Sequence, residues 1–156
     1  MHKLFSVRMH GFTVKFLNNL RPLSLLILRI VLGIIFLFHG YPKLAHSGAG
    51  MPSAFLEHGL PAYFVYVAGI IETFGGLLLL LGLFARGAAL LLAIEMCVAI
   101  WKFHSHSYLT VHEYEFPLSL AAACFVLATV GAGPISLDHP LFEGGGKARG
   151  ARGAKD

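Results

Sequence analysis

The sequence predicts an all-α integral membrane protein, an antiparallel four-helix bundle with both termini on the cytoplasmic side (N-in/C-in). Three observations predict it. Apolar residues make up 56% of the 156-residue chain and charged residues only 13%, against about 25% charged in soluble domains. Four apolar stretches, 22–38, 62–85, 87–103 and 111–131, are each long enough to cross a bilayer, for which about 17–25 residues suffice. Nine basic residues flank these stretches on one side (Lys3, Arg8, Lys15, Arg21, Arg86, Lys147, Arg149, Arg152 and Lys155), and only Lys43 and Lys102 on the other. That asymmetry marks the cytoplasmic ends. The stretches show no strand-like alternation, which leaves the helix as the spanning form, because only helices and closed barrels satisfy their backbones in lipid.

The elements follow in order. Residues 1–21 form a leader in which Phe5, Met9, Phe12, Phe16 and Leu20 recur at steps of three or four. This is the pattern of a short amphipathic helix on the inner membrane surface, with a disordered basic tail as the alternative. The first span ends near His39. The loop 39–61 holds Gly40, Pro42, Gly48, Gly50, Pro52, Gly59 and Pro61, too many breakers for one long helix. Within it only 53–57 has the makings of a helical turn. Residues 84–87 make a tight turn, so spans two and three run antiparallel side by side. Thr110 and Glu113 have capping-box spacing and start the fourth helix, with Pro117 in its second turn. One membrane domain, 22–142, takes nearly all of the chain. Residues 143–156 read as a disordered basic tail.

Three spans carry an ionisable residue at mid-depth: Arg29, Glu72 and Glu95. Each such charge costs at least about 2.5–3.5 kcal/mol in the bilayer centre, so it is paired or used. Counted from the expected helix ends at ~1.5 Å per residue, the three fall in one layer, and Arg29 is expected to pair with Glu72 or Glu95. Gly69, Glu72, Thr73 and Gly76 share one helical face, and small residues draw helices together in lipid, so that face turns inward. Two readings stand: a polar clamp that fixes helix register, or a proton-active site, since two carboxylates and one cation are not all charged at low cost.

Six of the nine histidines lie at the opposite end from the basic flanks. His39, Lys43, His104, His112 and Glu115 are expected to line a mouth there, suited to proton exchange or to a ligand. A metal centre is not expected. Carboxylate-bridged bundles use two Glu-x-x-His pairs and two more glutamates, and here a single reversed pair, His112 with Glu115, is present. Cys97 and Cys124 form no C-x-x-C and read as small buried apolar fillers. Nucleophile motifs, phosphate loops and dinucleotide fingerprints are absent. The basic tails are short and flank spans, which points to lipid rather than nucleic acid.

The run Phe38-His39-Gly40-Tyr41-Pro42-Lys43-Leu44, after an arginine-bearing helix, resembles the DoxX family of small bacterial and archaeal membrane proteins. Glu72 with Gly75-Gly76, Gly82-Leu83 followed by Arg86, His104, Glu115, and Gly131-Ala132-Gly133 leading to Ser136-Leu137-Asp138 fit the same family. Ala132 and Pro134-Ile135 stand where family members often carry proline and an arginine–tyrosine pair. The resemblance implies a four-helix protein of the cytoplasmic membrane, a subunit of a quinone-linked or thiol-defence redox complex. It implies partner subunits and quinone as the candidate cofactor, with no flavin, haem or iron–sulfur motif in the chain itself. A homo-oligomer is compatible with it. The alternatives are an inert anchor or assembly factor, and a small transporter or proton pathway, the latter weakened by the lack of an internal repeat.

Overall fold

Long apolar runs with few interior breakers favour helices, and helices are what form. The computed structural model describes residues 2–45, 51–103 and 111–143. They build α1 (His2–Ala45), α2 (Met51–Glu57), α3 (Phe64–Leu81), α4 (Ala85–Phe103) and α5 (Val111–Val130), followed by a short π-helical segment, His139–Glu143. No strand occurs among the described residues. Phe16–Ala45 and Phe64–Leu81 are long and apolar enough to cross a membrane, and Tyr114–Val130 is a shorter apolar helix. Their outward faces are apolar too: Ile27, Phe74, Ile94 and Phe125 are all more than half exposed, which suits lipid rather than water.

α1 is longer than its sequence suggests. It runs without a break through the expected boundary at 21/22, and then through Gly40 and Pro42 to Ala45. Each proline removes one backbone bond to the carbonyl four residues back. For Pro22 that carbonyl belongs to the exposed Asn18. Gly40, which reads as a breaker, is instead a contact point. A Cβ there would stand 2.5 Å from the Thr73 amide nitrogen and 2.8 Å from the Glu72 Cβ. The glycine lets α3 press against α1, and that packing outweighs weak helix propensity.

α1 and α3 lie antiparallel along a seam of small residues. Gly33 meets Gly76, Gly40 meets Thr73, and Leu44 meets Gly69. α4 packs along α5, and α3 joins α4 through the turn 82–84. Gly82 closes α3 in the left-handed conformation at φ 64°, its N–H directed to the Leu78 and Leu79 carbonyls, the usual glycine C-cap. The core between the helices is built from Leu25, Leu32, Phe36, Leu79, Leu92 and Leu127 with small alanines of α4.

The segment after α5 returns to the α3–α4 turn. Asp138 accepts the Phe84 N–H at 2.7 Å and the Ala85 N–H at 2.9 Å, capping the start of α4. Arg86, in the first turn of α4, donates to the Ala128, Thr129 and Val130 carbonyls at 3.3, 2.7 and 3.1 Å. The free carbonyls at a helix C-terminus thus meet a cation placed where the helix dipole favours one. This part is called the turn end below, and the opposite part the α2 end.

Candidate functional site

Three helices bring ionisable side chains together near the α2 end. The extension of α1 through Gly40 places Lys43 over α3, where its ammonium donates to the Glu72 carboxylate in an ion pair. The Glu72 side chain is only 4% exposed and that of Lys43 22%. Glu95, on α4, has Glu72 and Lys43 as its electrostatic neighbours. Both of its carboxyl oxygens are buried, and neither has a hydrogen-bond partner among the described residues. One ammonium therefore faces two carboxyl groups in an apolar interior. It bonds one and leaves the other bare.

The cluster forms part of the wall of two cavities. The larger, about 430 Å³, lies between α3 and α4; besides Lys43, Glu72 and Glu95 its lining is apolar, with Phe55, Phe64, Ile94 and Phe103 among it. α2 covers its end: Phe55 meets Phe103 edge-on at 5.0 Å, and the His58 ring lies 4.6 Å from the same phenylalanine. The smaller cavity, about 240 Å³, is lined by His39, Phe116 and Pro117 and again by Glu72 and Met96. Glu72 and Met96 separate the two.

The expected single charge layer does not form. Arg29 is buried, 1% exposed, but at the turn end. Its Nη2 donates to the Ile135 carbonyl at 2.6 Å, and its electrostatic partner is Asp138. Glu72 lies level with Gly40, eleven residues along α1 from Arg29, or roughly 16 Å. The depth count placed the end of the first helix at His39, whereas the helix continues to Ala45. That continuation moves Arg29 away from the carboxylates and brings Lys43 to them.

The expected mouth is only partly brought together. Lys43 belongs to the ion pair. His39 is exposed, its Nδ1 2.9 Å from the Ile35 carbonyl and its ring 5.9 Å from Phe116. Glu115 is exposed on α5. His104 lies outside the described residues, as does the side chain of His112. Among the described residues no three His, Cys, Asp or Glu side chains are grouped to hold a metal ion. Cys124 is buried as expected of a filler, but Cys97 is not: it lies exposed on the outward face of α4.

Sequence reasoning missed Lys43 as the partner of Glu72, and Ile135 and Asp138 as partners of Arg29. A signal for the first was present: Arg29, Gly33, Phe36, Gly40 and Lys43 recur at steps of four, three, four and three, one continuous helical face. For the second pair there was little beyond Ser136-Leu137-Asp138 itself, because a contact across 106 residues leaves no local periodicity.

The DoxX family model matches residues 24–105. An uncharacterized protein of Haemophilus influenzae is 35% identical over 137 residues, covering 81% of this chain and 99% of its own. A Bacillus subtilis protein named "Putative oxidoreductase CatD" is 31% identical, covering 82% of this chain and 94% of its own. The inner membrane protein YphA of Escherichia coli is 30% identical, covering 76% and 91%. No solved structure matches the chain.

Proposed function

The chain belongs to the DoxX family of membrane proteins, and we propose that it is a four-span subunit of a quinone-linked redox complex in the cytoplasmic membrane. In this reading the helices form an antiparallel bundle with both termini inside, and Lys43, Glu72 and Glu95 are its proton-active group. The observation that carries it is the bare Glu95 carboxyl beside the Lys43–Glu72 pair. A structural clamp needs only the pair. A second, unpartnered carboxyl costs free energy in the interior and contributes nothing to such a clamp. Buried acids of this kind in membrane helices mark proton and substrate paths. The oxidoreductase name borne by the relative from Bacillus subtilis supports the redox setting.

His39 then supplies an exchange point, since it lines the smaller cavity on the other side of Glu72. The chain carries no redox motif of its own, so partner subunits bring the electron donor. The test is affinity purification of the intact complex from native membranes, followed by quinone-reduction assays on wild type, Glu72→Gln and Glu95→Gln. Normal assembly with at least tenfold lower turnover in both variants is expected. If both variants assemble and turn over like wild type, the chain is an anchor and the redox reading fails.

A further inference from the structure

We propose that the cavity between α3 and α4 binds a lipid-soluble molecule with a planar ring head bearing hydroxyl or carbonyl oxygens. Glu95 meets that head, and the molecule enters sideways from the bilayer. The proposal names the ligand class of the redox reading and rests on it only for what the ligand is used for.

The volume, about 430 Å³, falls within the range of small-molecule sites, roughly 300–1,000 Å³. The polarity is concentrated in one corner. Lys43 offers donors and the glutamates offer acceptors, while Phe55, Phe64 and Phe103 and aliphatic side chains line the rest. A planar ring suits phenylalanine faces and edges, and oxygens on its rim suit a corner that both gives and takes hydrogen bonds. Water meets the polar corner but not the apolar remainder of the cavity, where an ordered water lacks the two to four polar partners it needs. An acyl chain fills the space but leaves Glu95 bare.

The entry side follows from exposure. Val67, Ile94 and Val98 line the cavity and are also 40%, 52% and 42% exposed on the outward faces of α3 and α4. The remaining end is covered by Phe55 of α2 and by His58 just after it, both packed on Phe103 of α4. A molecule from the lipid phase meets an apolar window. A water-soluble one meets an aromatic cover.

The experiment uses the full-length protein in lipid nanodiscs and a photoreactive short-chain ubiquinone analogue as the probe. Cross-links are expected in 64–81 and 85–103, suppressed by unlabelled short-chain ubiquinone and not by farnesol, which has the tail without the ring head. Glu95→Leu should weaken binding at least tenfold while raising the melting temperature, because it removes a bare buried carboxyl. Ile94→Trp, on the lipid-facing window, should also block labelling, which keeps the test alive if Glu95→Leu fails to fold. Labelling elsewhere, equal competition by farnesol, or unchanged binding in Glu95→Leu or Ile94→Trp overturns the site. Confirmed binding with quinone turnover indifferent to Glu95 overturns the redox use and leaves the site standing. Turnover that depends on Glu95 without probe binding does the reverse.

Discussion

At the scale of single residues, Lys43 and Glu72 stabilise each other only as a pair. Removing one partner leaves the other charge in an apolar interior, so Glu72→Ala is expected to destabilise the protein by about 3 kcal/mol. Lys43→Met should cost more, because it strands the Glu72 carboxylate, whose side chain is 4% exposed, whereas Glu72→Ala strands an ammonium whose side chain is 22% exposed. The double replacement Lys43→Met/Glu72→Ala should recover much of the loss, since it removes both charges of the buried pair and leaves neither stranded. Melting curves in detergent on the four proteins close the cycle. A double variant no more stable than Glu72→Ala would show that the contact is not the source of the effect. At the turn end, Asp138→Ala strips two backbone N–H groups of their acceptor and Arg29 of its charge partner. A loss of about 2 kcal/mol is expected, with Asp138→Asn intermediate.

Helices obey a different constraint: how closely two backbones approach. The α1–α3 seam leaves no room at Gly40 for even a methyl group, so Gly40→Ala should part the helices locally, at about 1–3 kcal/mol. It should also loosen the Lys43–Glu72 pair. Gly87 in α4 is the matched control, with nothing within 4 Å of an added Cβ. There Gly→Ala should be neutral or stabilising by up to about 1 kcal/mol. Thermal stability of the two variants in the same detergent tests the contrast, and equal effects would refute the seam. This scale also shows what was legible in the sequence. The apolar stretches announced α3, α4 and α5, and the small-residue face of α3 announced its inward side, because both depend on local spacing. The end of α1 was not legible, because Gly40 and Pro42 look like breakers until α3 is packed against them. The pairing of the charges failed with it, since one misplaced helix end shifts every depth counted from it.

For the whole molecule, the first expectation is topological. Single cysteines at Ser47, Ser105 and Gly146, introduced one at a time, should divide under an impermeant thiol reagent in intact cells. Ser47→Cys and Ser105→Cys should be labelled and Gly146→Cys should not, as the nine-to-two distribution of basic residues requires. Labelling of Gly146→Cys without Ser47→Cys would invert the assignment. The turn-end contacts bear on how such a chain is made. Arg29 enters the membrane with the first helix to be synthesised, yet the carbonyl it bonds lies 106 residues later. At 5–20 residues per second, its guanidinium waits roughly 5–20 s for that acceptor. During this interval the guanidinium lacks both the Ile135 carbonyl that Nη2 bonds in the finished chain and its charge partner Asp138. On this basis the arginine is expected to report to membrane quality control whether the chain is complete. A chain stopped at Gly133 should be degraded faster in pulse-chase than one stopped at Glu143, and Arg29→Leu should narrow the difference.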